Sequence, residues 1–348
     1  MSHIILSKIG HAGCITLDRP EALNALSIDM VTQISAALSA WASDEAVKLV
    51  LIRSASARAF CAGGDVREAV SIIKDNPELG AEPYFNAEYG FDLMLARYSK
   101  PLISLVDGVV MGGGFGVARL SDYMVVSSHI KMAMPETAIG LFPDVGASCF
   151  LRRAPLSAAL MMGMTGTMIG AGDALSWQIA DYHCPSEMFD ELASALAAVT
   201  DRAQIEAVLA RYHKAPPAPH FAMMMADIEQ VFARPNLQDI AKQAEVLAQQ
   251  GGEASWHQAL SHKCPASIAA FWYMMTCLPV PASNEEAILR DYFLAVKMTK
   301  RPDFIEGVRA VLIDKDNAPR WAPRSVFEVS TDMLVDLFDF AGMKPLPE

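Results

Sequence analysis

The first 130 residues alternate between two hydrophobic periods, and this alternation restricts the fold more than any other feature of the chain. Short apolar runs typical of strands occur in "HIILSKI", "GCITL", "VKLVLIRS" and "PLISLVDG". Helical spacing separates the second run from the third, with Ser27 as the N-cap and an apolar series at Ile28, Val31, Ile34, Leu38 and Trp41. Strands that alternate with helices indicate an α/β fold with a mostly parallel sheet.

From about residue 150 the pattern becomes helical, and 187–300 contains no run typical of a strand. We therefore expect an α/β core over residues 1–190 and a mostly helical region over 191–348 that packs on it. The proline-rich stretch 213–220 is expected to be a loop. The uncharged run 154–172 has the length of a membrane span, but its four glycines and one proline predict a tightly packed helix and turn instead.

Charge and cysteine content exclude several function classes. The net charge is −12 and no run of lysine or arginine occurs, which argues against nucleic acid as a principal partner. The six cysteines are scattered without a C-x-x-C pair, and the eight histidines lack metal-ligand spacing, so we expect no metal site. The N-terminal apolar run is too short for a signal peptide. We expect a soluble cytoplasmic protein without a membrane partner, and a homo-oligomer stays open.

Two glycine-rich segments, "CAGGDV" (61–66) and "MGGGFG" (111–116), each follow a predicted strand and precede a predicted helix. Neither contains G-x-G-x-x-G or G-K-S/T, so the known nucleotide-binding motifs are excluded. Glycines at the start of a helix let a ligand approach unpaired N–H groups, and two such segments could converge on one oxyanion. Close packing of strand against helix would require the same glycines, and the segments alone do not decide.

The segment "AMPETAIGLFPDVG" (133–146) contains two charged residues, Glu136 and Asp144, in an otherwise apolar and turn-rich sequence. Glu136 follows a proline and would be favourable at the start of a helix, and Asp144 could cap the next helix. Charges in such apolar surroundings are usually paired, exposed or functional. Local sequence favours the capping roles.

Five segments in order resemble the crotonase (enoyl-CoA hydratase/isomerase) superfamily, and the resemblance extends over residues 3–321. The segments are "LDRPEALNAL" (17–26), "AFCAGGDV" (59–66), "VDGVVMGGGFG" (106–116), "AMPETAIGLFPDVG" (133–146) and "EGVRAVLIDKD" (306–316). The resemblance implies an α/β fold with a crotonase-type β-β-α spiral core and a helical C-terminal region. It also implies an acyl-CoA thioester as substrate, with no cofactor besides the CoA of that substrate.

Site residues carried over from the superfamily lie in the same segments. The resemblance implies that the backbone N–H groups of Gly64 and Gly113 bind the thioester carbonyl oxygen. Glu136 occupies the acidic catalytic position, and Asp144 is a second acid as in the hydrolases of the superfamily. Glu88 is the implied substrate-side glutamate. Glu136 would activate water or attack the carbonyl, and a nearby Asp144 would raise the pKa of Glu136.

The CoA contacts are implied in the same way. The adenine end would lie along the backbone of Ala22, Leu23 and Ala62, and Lys315 would contact a phosphate.

One departure from the superfamily pattern separates two chemistries. Its hydratases carry a glutamate two residues after the glycine triplet, where this chain has Gly116. Adding water across a double bond uses two carboxylates, and Gly116 removes one. We therefore expect thioester hydrolysis. A hydratase or isomerase would keep the fold, and a catalytically silent acyl-CoA-binding protein would keep the glycines but lack the acids.

Overall fold

The structure is a computed structural model that describes residues 3–347. Strands in this part of the chain are β1 (Ile4–Ile9), β2 (Ala12–Leu17), β3 (Leu49–Ser54), β4 (Ala59–Cys61), β5 (Leu102–Val106), β6 (Val109–Met111), β7 (Tyr123–Val126), β8 (Lys131–Ala133) and β9 (Tyr182–His183). Helices are α1 (Ile28–Ser43), α2 (Val66–Asp75), α3 (Glu82–Ala96), α4 (Gly113–Leu120), α5 (Ala147–Phe150), α6 (Leu156–Thr165), α7 (Ala171–Ser176), α8 (Phe189–Ala197), α9 (Arg202–Tyr212), α10 (Met225–Phe232), α11 (Leu237–Gln249), α12 (Ala254–His262), α13 (Pro265–Thr276), α14 (Asn284–Thr299), α15 (Pro302–Val308) and α16 (Thr331–Leu337).

The described residues form two compact units, each built from three separate stretches of chain. Unit 1 contains the chain up to Gly64, Gly90–Met132 and Ile169–His220. Unit 2 contains Asp65–Tyr89, Ala133–Met168 and the chain from Phe221. These units do not coincide with the expected division into 1–190 and 191–348. Hydrophobic periodicity identifies a helix but not its packing partner, and α6, for example, packs against α10 and α13.

Unit 1 contains a six-stranded sheet in the order β1-β2-β3-β5-β7-β9. Strand β1 pairs antiparallel with β2, and the remaining pairs are parallel, which confirms the mostly parallel sheet expected from the sequence. Every residue of β5 is buried, as is typical of parallel strands that are covered on both faces. Strands β4, β6 and β8 form a second, three-stranded sheet.

The two short strands β4 and β6 matter for function because the glycine-rich segments follow them directly. Cys61 ends β4 before "AGGD", and Met111 ends β6 before the glycine triplet. The two strands pair in parallel, with Ala59 opposite Val109. Parallel neighbours end at the same edge of a sheet, so both glycine segments leave that edge together.

Unit 2 is mostly helical. Helix α6 crosses α13 so closely that a Cβ at Gly163 would lie 2.1 Å from the ring of Phe271. Gly166 ends α6 in the left-handed conformation, with φ of 63°. The run 154–172 is therefore the packed helix and turn that its composition predicted. Among the residues that the structure describes, no helix combines the length and the apolar character needed to span a membrane.

Candidate active site

The two glycine segments lie side by side in unit 1. Gly63 has φ of +106°, and a Cβ added to it would lie 3.2 Å from the Met111 carbonyl oxygen and 3.4 Å from the Gly113 nitrogen. A Cβ at Gly114 would lie 2.4 Å from the Cys61 carbonyl oxygen, which excludes any larger residue there. The glycines therefore do serve close packing, and that packing brings Gly64 and Gly113 into neighbouring loops.

Gly64 and Gly113 both have N–H groups that donate to no other group within residues 3–347. Gly113 is the first residue of α4, where the helix leaves its initial N–H groups unpaired and the helix dipole is positive. Gly113 is buried and Gly64 is half-buried, and buried backbone N–H groups are otherwise almost always paired. Two unpaired donors in adjoining loops are therefore suited to binding one oxygen with developing negative charge.

Residues expected to contact CoA are also grouped in unit 1, with one exception. The Ala62 N–H donates to the Leu23 carbonyl oxygen over 3.0 Å, so Ala22, Leu23 and Ala62 are brought together. Buried Asn24 stabilises this arrangement, because its side-chain amide donates to the Ala59 and Phe60 carbonyl oxygens at 3.1 and 3.0 Å.

Lys315 lies in unit 2, in an exposed turn. It has φ of +58° and stands between Asp314 and Asp316, which Arg309 binds at 2.6 and 2.7 Å. These ion pairs fix the backbone of the turn and leave the Lys315 side chain exposed to solvent. Such a lysine is available for a phosphate, although no contact of its own distinguishes it from other surface lysines.

Glu136 begins a short 3-10 helix, Glu136–Ala138, directly after Pro135. The local expectation of a helix-start glutamate is thus met, yet the side chain is buried, with 5% exposure. Its Oε2 atom has no hydrogen-bond partner within residues 3–347. A capping glutamate at a surface helix would be solvated, whereas a buried carboxylate oxygen without a partner is unfavourable and is typical of a reactive site.

Asp144 and Glu88 are buried in the same unit. The Tyr89 hydroxyl donates to Asp144 Oδ2 over 2.6 Å, and both side chains are inaccessible to solvent. Glu88 precedes Tyr89 on α3 and is 9% exposed. All three acids expected from the sequence are buried in unit 2, and Glu136 lies within electrostatic reach of Asp144 and Glu88.

Burial dominates the titration of these acids. It raises the pKa of Glu136 well above its usual value, and the Asp144 charge raises it further, in the direction expected from the sequence. Burial and then the Asp144 charge raise the pKa of Glu88 to about 8. Burial raises the pKa of Asp144 to only about 6, because the Tyr89 hydrogen bond favours its ionised form. Of the three acids, Asp144 is the one whose ionised form is stabilised by a hydrogen bond from another side chain.

One half-buried cation, Lys263, acts on this group. Lys263, between α12 and α13, donates through Nζ to the Thr165 carbonyl oxygen. Burial lowers the pKa of Lys263 to about 8, and its positive charge lowers the pKa of Glu136. A Cβ at Gly166 would lie 2.4 Å from Lys263 Nζ, so the glycine provides the space for this amine. Lys263 therefore opposes the effect of burial on Glu136.

Sequence reasoning missed three residues of this site: Tyr89, Lys263 and Asp291. Asp291 lies on α14, is fully buried, and accepts the Gly146 N–H at 2.9 Å through Oδ2. The signal for Asp291 was present, since it falls on the apolar face of an amphipathic helix with Ile288 and Ala295. Tyr89 and Lys263 carried no comparable pattern.

Residues 3–347 contain no group of three or more His, Cys, Asp or Glu side chains arranged to bind a metal.

Comparison with known proteins gives relatives over nearly the whole chain. The mitochondrial 3-hydroxyisobutyryl-CoA hydrolase of Xenopus laevis is 35% identical over 98% of this chain and 90% of its own. The human mitochondrial 3-hydroxyisobutyryl-CoA hydrolase is 33% identical over 99% of this chain and 90% of its own. The 3-hydroxyisobutyryl-CoA hydrolase 1 of Arabidopsis thaliana is 33% identical over 97% of this chain and 92% of its own.

Solved structures with similar folds carry different names. A crystal structure named as an enoyl-CoA hydratase from Rhodobacter sphaeroides matches with a TM-score of 0.90 and 33% identity over all of both chains. A carnitinyl-CoA dehydratase from Mycobacterium thermoresistibile matches with a TM-score of 0.87 and 31% identity over 97% of this chain and 96% of its own. The family model for enoyl-CoA hydratase/isomerase matches residues 12–338. These matches agree with the motifs and the fold, and the chain belongs to the enoyl-CoA hydratase/isomerase, or crotonase, family.

Proposed function

We propose that this protein is a thioester hydrolase that converts 3-hydroxyisobutyryl-CoA to 3-hydroxyisobutyrate and CoA, a step of valine breakdown. Relatives named for this reaction span nearly the whole chain at 32–35% identity. The observation that carries the proposal is the group of buried acids formed by Glu136, Asp144 and Glu88, together with Gly116. Gly116 stands where hydratases of the superfamily carry a glutamate, whereas Glu136 and Asp144 stand where its hydrolases carry acids.

In the proposed reaction the N–H groups of Gly64 and Gly113 bind the thioester carbonyl oxygen and stabilise the oxyanion that forms when the carbonyl is attacked. Glu136 then acts by one of two routes. As a general base it takes a proton from the attacking water. As a nucleophile it bonds to the carbonyl carbon and expels the CoA thiolate, and water opens the resulting anhydride.

Either route needs an ionised Glu136, whereas burial favours its neutral form. Two features favour its ionisation, first a backbone hydrogen bond at Glu136 itself and then the Lys263 charge. Asp144 and Glu88 are assigned to the substrate, with the ionised Asp144 accepting the 3-hydroxyl hydrogen bond. Ala22, Leu23, Ala62 and Lys315 are assigned to CoA.

Hydration of a double bond is the second candidate, since both similar crystal structures cited above carry hydratase or dehydratase names. Buried Gly116 on α4 argues against it for this chain. A silent binding protein is disfavoured by the buried acids.

The location and the oligomeric state of the protein stay predictions. We expected a cytoplasmic protein, while several relatives are named as mitochondrial. Whether the chain forms a homo-oligomer stays an open question.

Parallel assays distinguish the two chemistries. Release of free thiol is measured from 3-hydroxyisobutyryl-CoA, 3-hydroxypropionyl-CoA and isobutyryl-CoA, and hydration of crotonyl-CoA is measured with the same preparation. We expect thiol release from the hydroxylated substrates to be much faster than hydration. Efficient hydration without thiol release would overturn the assignment.

A further inference from the structure

Asp144 stands at the start of an unusual turn in unit 2. The next two residues, Val145 and Gly146, have φ of +51° and +86°. Glycine adopts this left-handed region freely, but a β-branched residue there is a rare and strained outlier. Val145 is fully buried, so its side chain cannot relax into solvent. Contacts from elsewhere must hold the turn in this conformation.

Helix α14 supplies those contacts. Asp291 Oδ2 accepts the N–H of Gly146 at 2.9 Å, at the start of α5. Its neighbour Arg290 donates to the Ser148 hydroxyl at 2.7 Å. The same helix therefore binds the segment after Asp144 at two points two residues apart. Only the Asp291 contact reaches the residues in the left-handed conformation.

The next residue of α14, Tyr292, packs against Tyr89, the hydrogen-bond partner of Asp144. Its ring packs edge-on against Tyr89, with centroids 5.9 Å apart, and its hydroxyl donates to Asn86 Oδ1 at 2.9 Å. Tyr89 is the donor to Asp144 Oδ2. Asp144 is thus constrained through its backbone by Asp291 and through its carboxylate by Tyr89.

Asp291 itself is a costly residue at this position. It is completely buried, and Oδ1 has no partner within residues 3–347. Burial raises its pKa to about 8, against the lowering effects of the Gly146 N–H and Arg290. A buried acid that satisfies a single N–H contributes little net stability, because a neutral acceptor could do the same at lower cost. What the contact does is fix the position of the Gly146 N–H, and with it the conformation of the turn.

We propose that Asp291 is a positioning residue for Asp144, which holds the left-handed turn at Val145 and Gly146 and thereby fixes the direction of the Asp144 carboxylate toward the substrate hydroxyl. The inference rests on the proposed function for the role of Asp144. It makes the selectivity for hydroxylated acyl groups depend on a residue that touches no substrate atom. Displacement of a reacting or binding group by about 1 Å can cost about 10²-fold in rate.

The test compares three variants. Asp291→Ala removes the acceptor, and Asp291→Asn keeps an oxygen that can accept the Gly146 N–H. Asp303→Ala is the matched control, because Asp303 is another fully buried acid that accepts a backbone N–H, from Ala322 at 2.7 Å. The readouts are kcat/KM for 3-hydroxyisobutyryl-CoA and isobutyryl-CoA, and hydrogen exchange of the peptide 144–150.

We expect Asp291→Ala to lower kcat/KM for the hydroxylated substrate by up to about tenfold, the effect expected when Asp144 itself is removed, to lower it less for isobutyryl-CoA, and to speed exchange in 144–150. Asp291→Asn should show wild-type kcat/KM values and wild-type exchange in 144–150. Asp303→Ala should lower the Tm without changing the ratio of kcat/KM for 3-hydroxyisobutyryl-CoA to that for isobutyryl-CoA. An unchanged ratio and unchanged exchange in Asp291→Ala would overturn the proposal. So would an Asp291→Asn protein as impaired as Asp291→Ala. If Asp291→Ala does not fold, Asp291→Asn decides: a ratio and exchange like those of the wild type support the proposal, and a lost ratio overturns it.

Failure of the proposed function is seen separately, as absence of thiol release by the wild type. The exchange readout then still tests whether Asp291 holds the turn.

Discussion

The two groups of candidate site residues are built on opposite principles. In unit 1 the functional groups are backbone N–H groups of Gly64 and Gly113, and a side chain at the adjoining Gly114 would collide with Cys61. In unit 2 they are carboxyl groups of Glu136, Asp144 and Glu88, buried among other side chains. The glycine positions are set by steric exclusion, so substitutions there disturb the backbone. The acids are controlled by burial and charge, so isosteric substitutions can remove their chemistry while keeping their shape.

The largest effect is expected from Glu136→Gln, which preserves volume and removes the base or nucleophile. We expect kcat for thiol release to fall by about 10²- to 10⁴-fold. The Tm should barely change, because the amide keeps the packing and removes an ionisable group from a buried position. Steady-state kinetics and thermal unfolding check both points. Near-wild-type turnover would show that Glu136 only begins the 3-10 helix, and the catalytic role proposed for it would be wrong.

A somewhat smaller loss is expected on the unit 1 side. Gly113→Pro deletes one N–H donor, and loss of a single oxyanion donor typically costs about 10²- to 10³-fold in kcat. Strain at the start of α4 would contribute to this loss, so a structure with a bound thioester analogue is the stronger measurement. The carbonyl oxygen should lie within hydrogen-bond distance of both Gly64 N and Gly113 N. A carbonyl oxygen bound elsewhere would reject the pair.

Asp144 and Glu88 are also expected to recognise the substrate hydroxyl by hydrogen bonding. A methyl group more or less in an apolar pocket discriminates by only about 1–3 kcal/mol, whereas a buried polar group left unpaired penalises an analogue without the hydroxyl more strongly. Wild-type enzyme should therefore favour 3-hydroxyisobutyryl-CoA over isobutyryl-CoA. Asp144→Ala or Glu88→Ala should narrow that gap by about tenfold. Equal kcat/KM for the two substrates in the wild type would show that neither acid recognises the hydroxyl.

The smallest effect is a shift of the pH profile. Since the Lys263 charge lowers the pKa of Glu136, Lys263→Gln should raise it. Activity that requires ionised Glu136 increases as pH rises through that pKa, so the acidic limb of kcat should move to higher pH. Lys300→Gln is the control, because Lys300 is exposed and pairs with Glu82. An unmoved limb in Lys263→Gln would mean that Lys263 only supports the end of α6.

Much of the fold could be read from the sequence, because periodicity and turn residues act locally. The N-cap Ser27 accepts the Met30 N–H at 3.3 Å as expected, and "CAGGDV" and "MGGGFG" each connect a strand to a helix. The two-residue strand β9 was missed, since so short a segment has no period. The division at residue 190 rested on a change of composition, and composition does not record which helices pack together.

The sequence by itself determined the family, the glycine segments and the identity of the acids, since each depends on residue types in a short stretch. It could not determine how those acids ionise. Glu136 looked like a helix-start residue from its neighbours, and it does start a 3-10 helix. Only tertiary structure buries it, places Lys263 and Asp144 within electrostatic reach, and brings Asp291 from 145 residues away to the Gly146 N–H. Burial and through-space charge depend on packing, and packing joins residues whose separation in sequence carries no pattern.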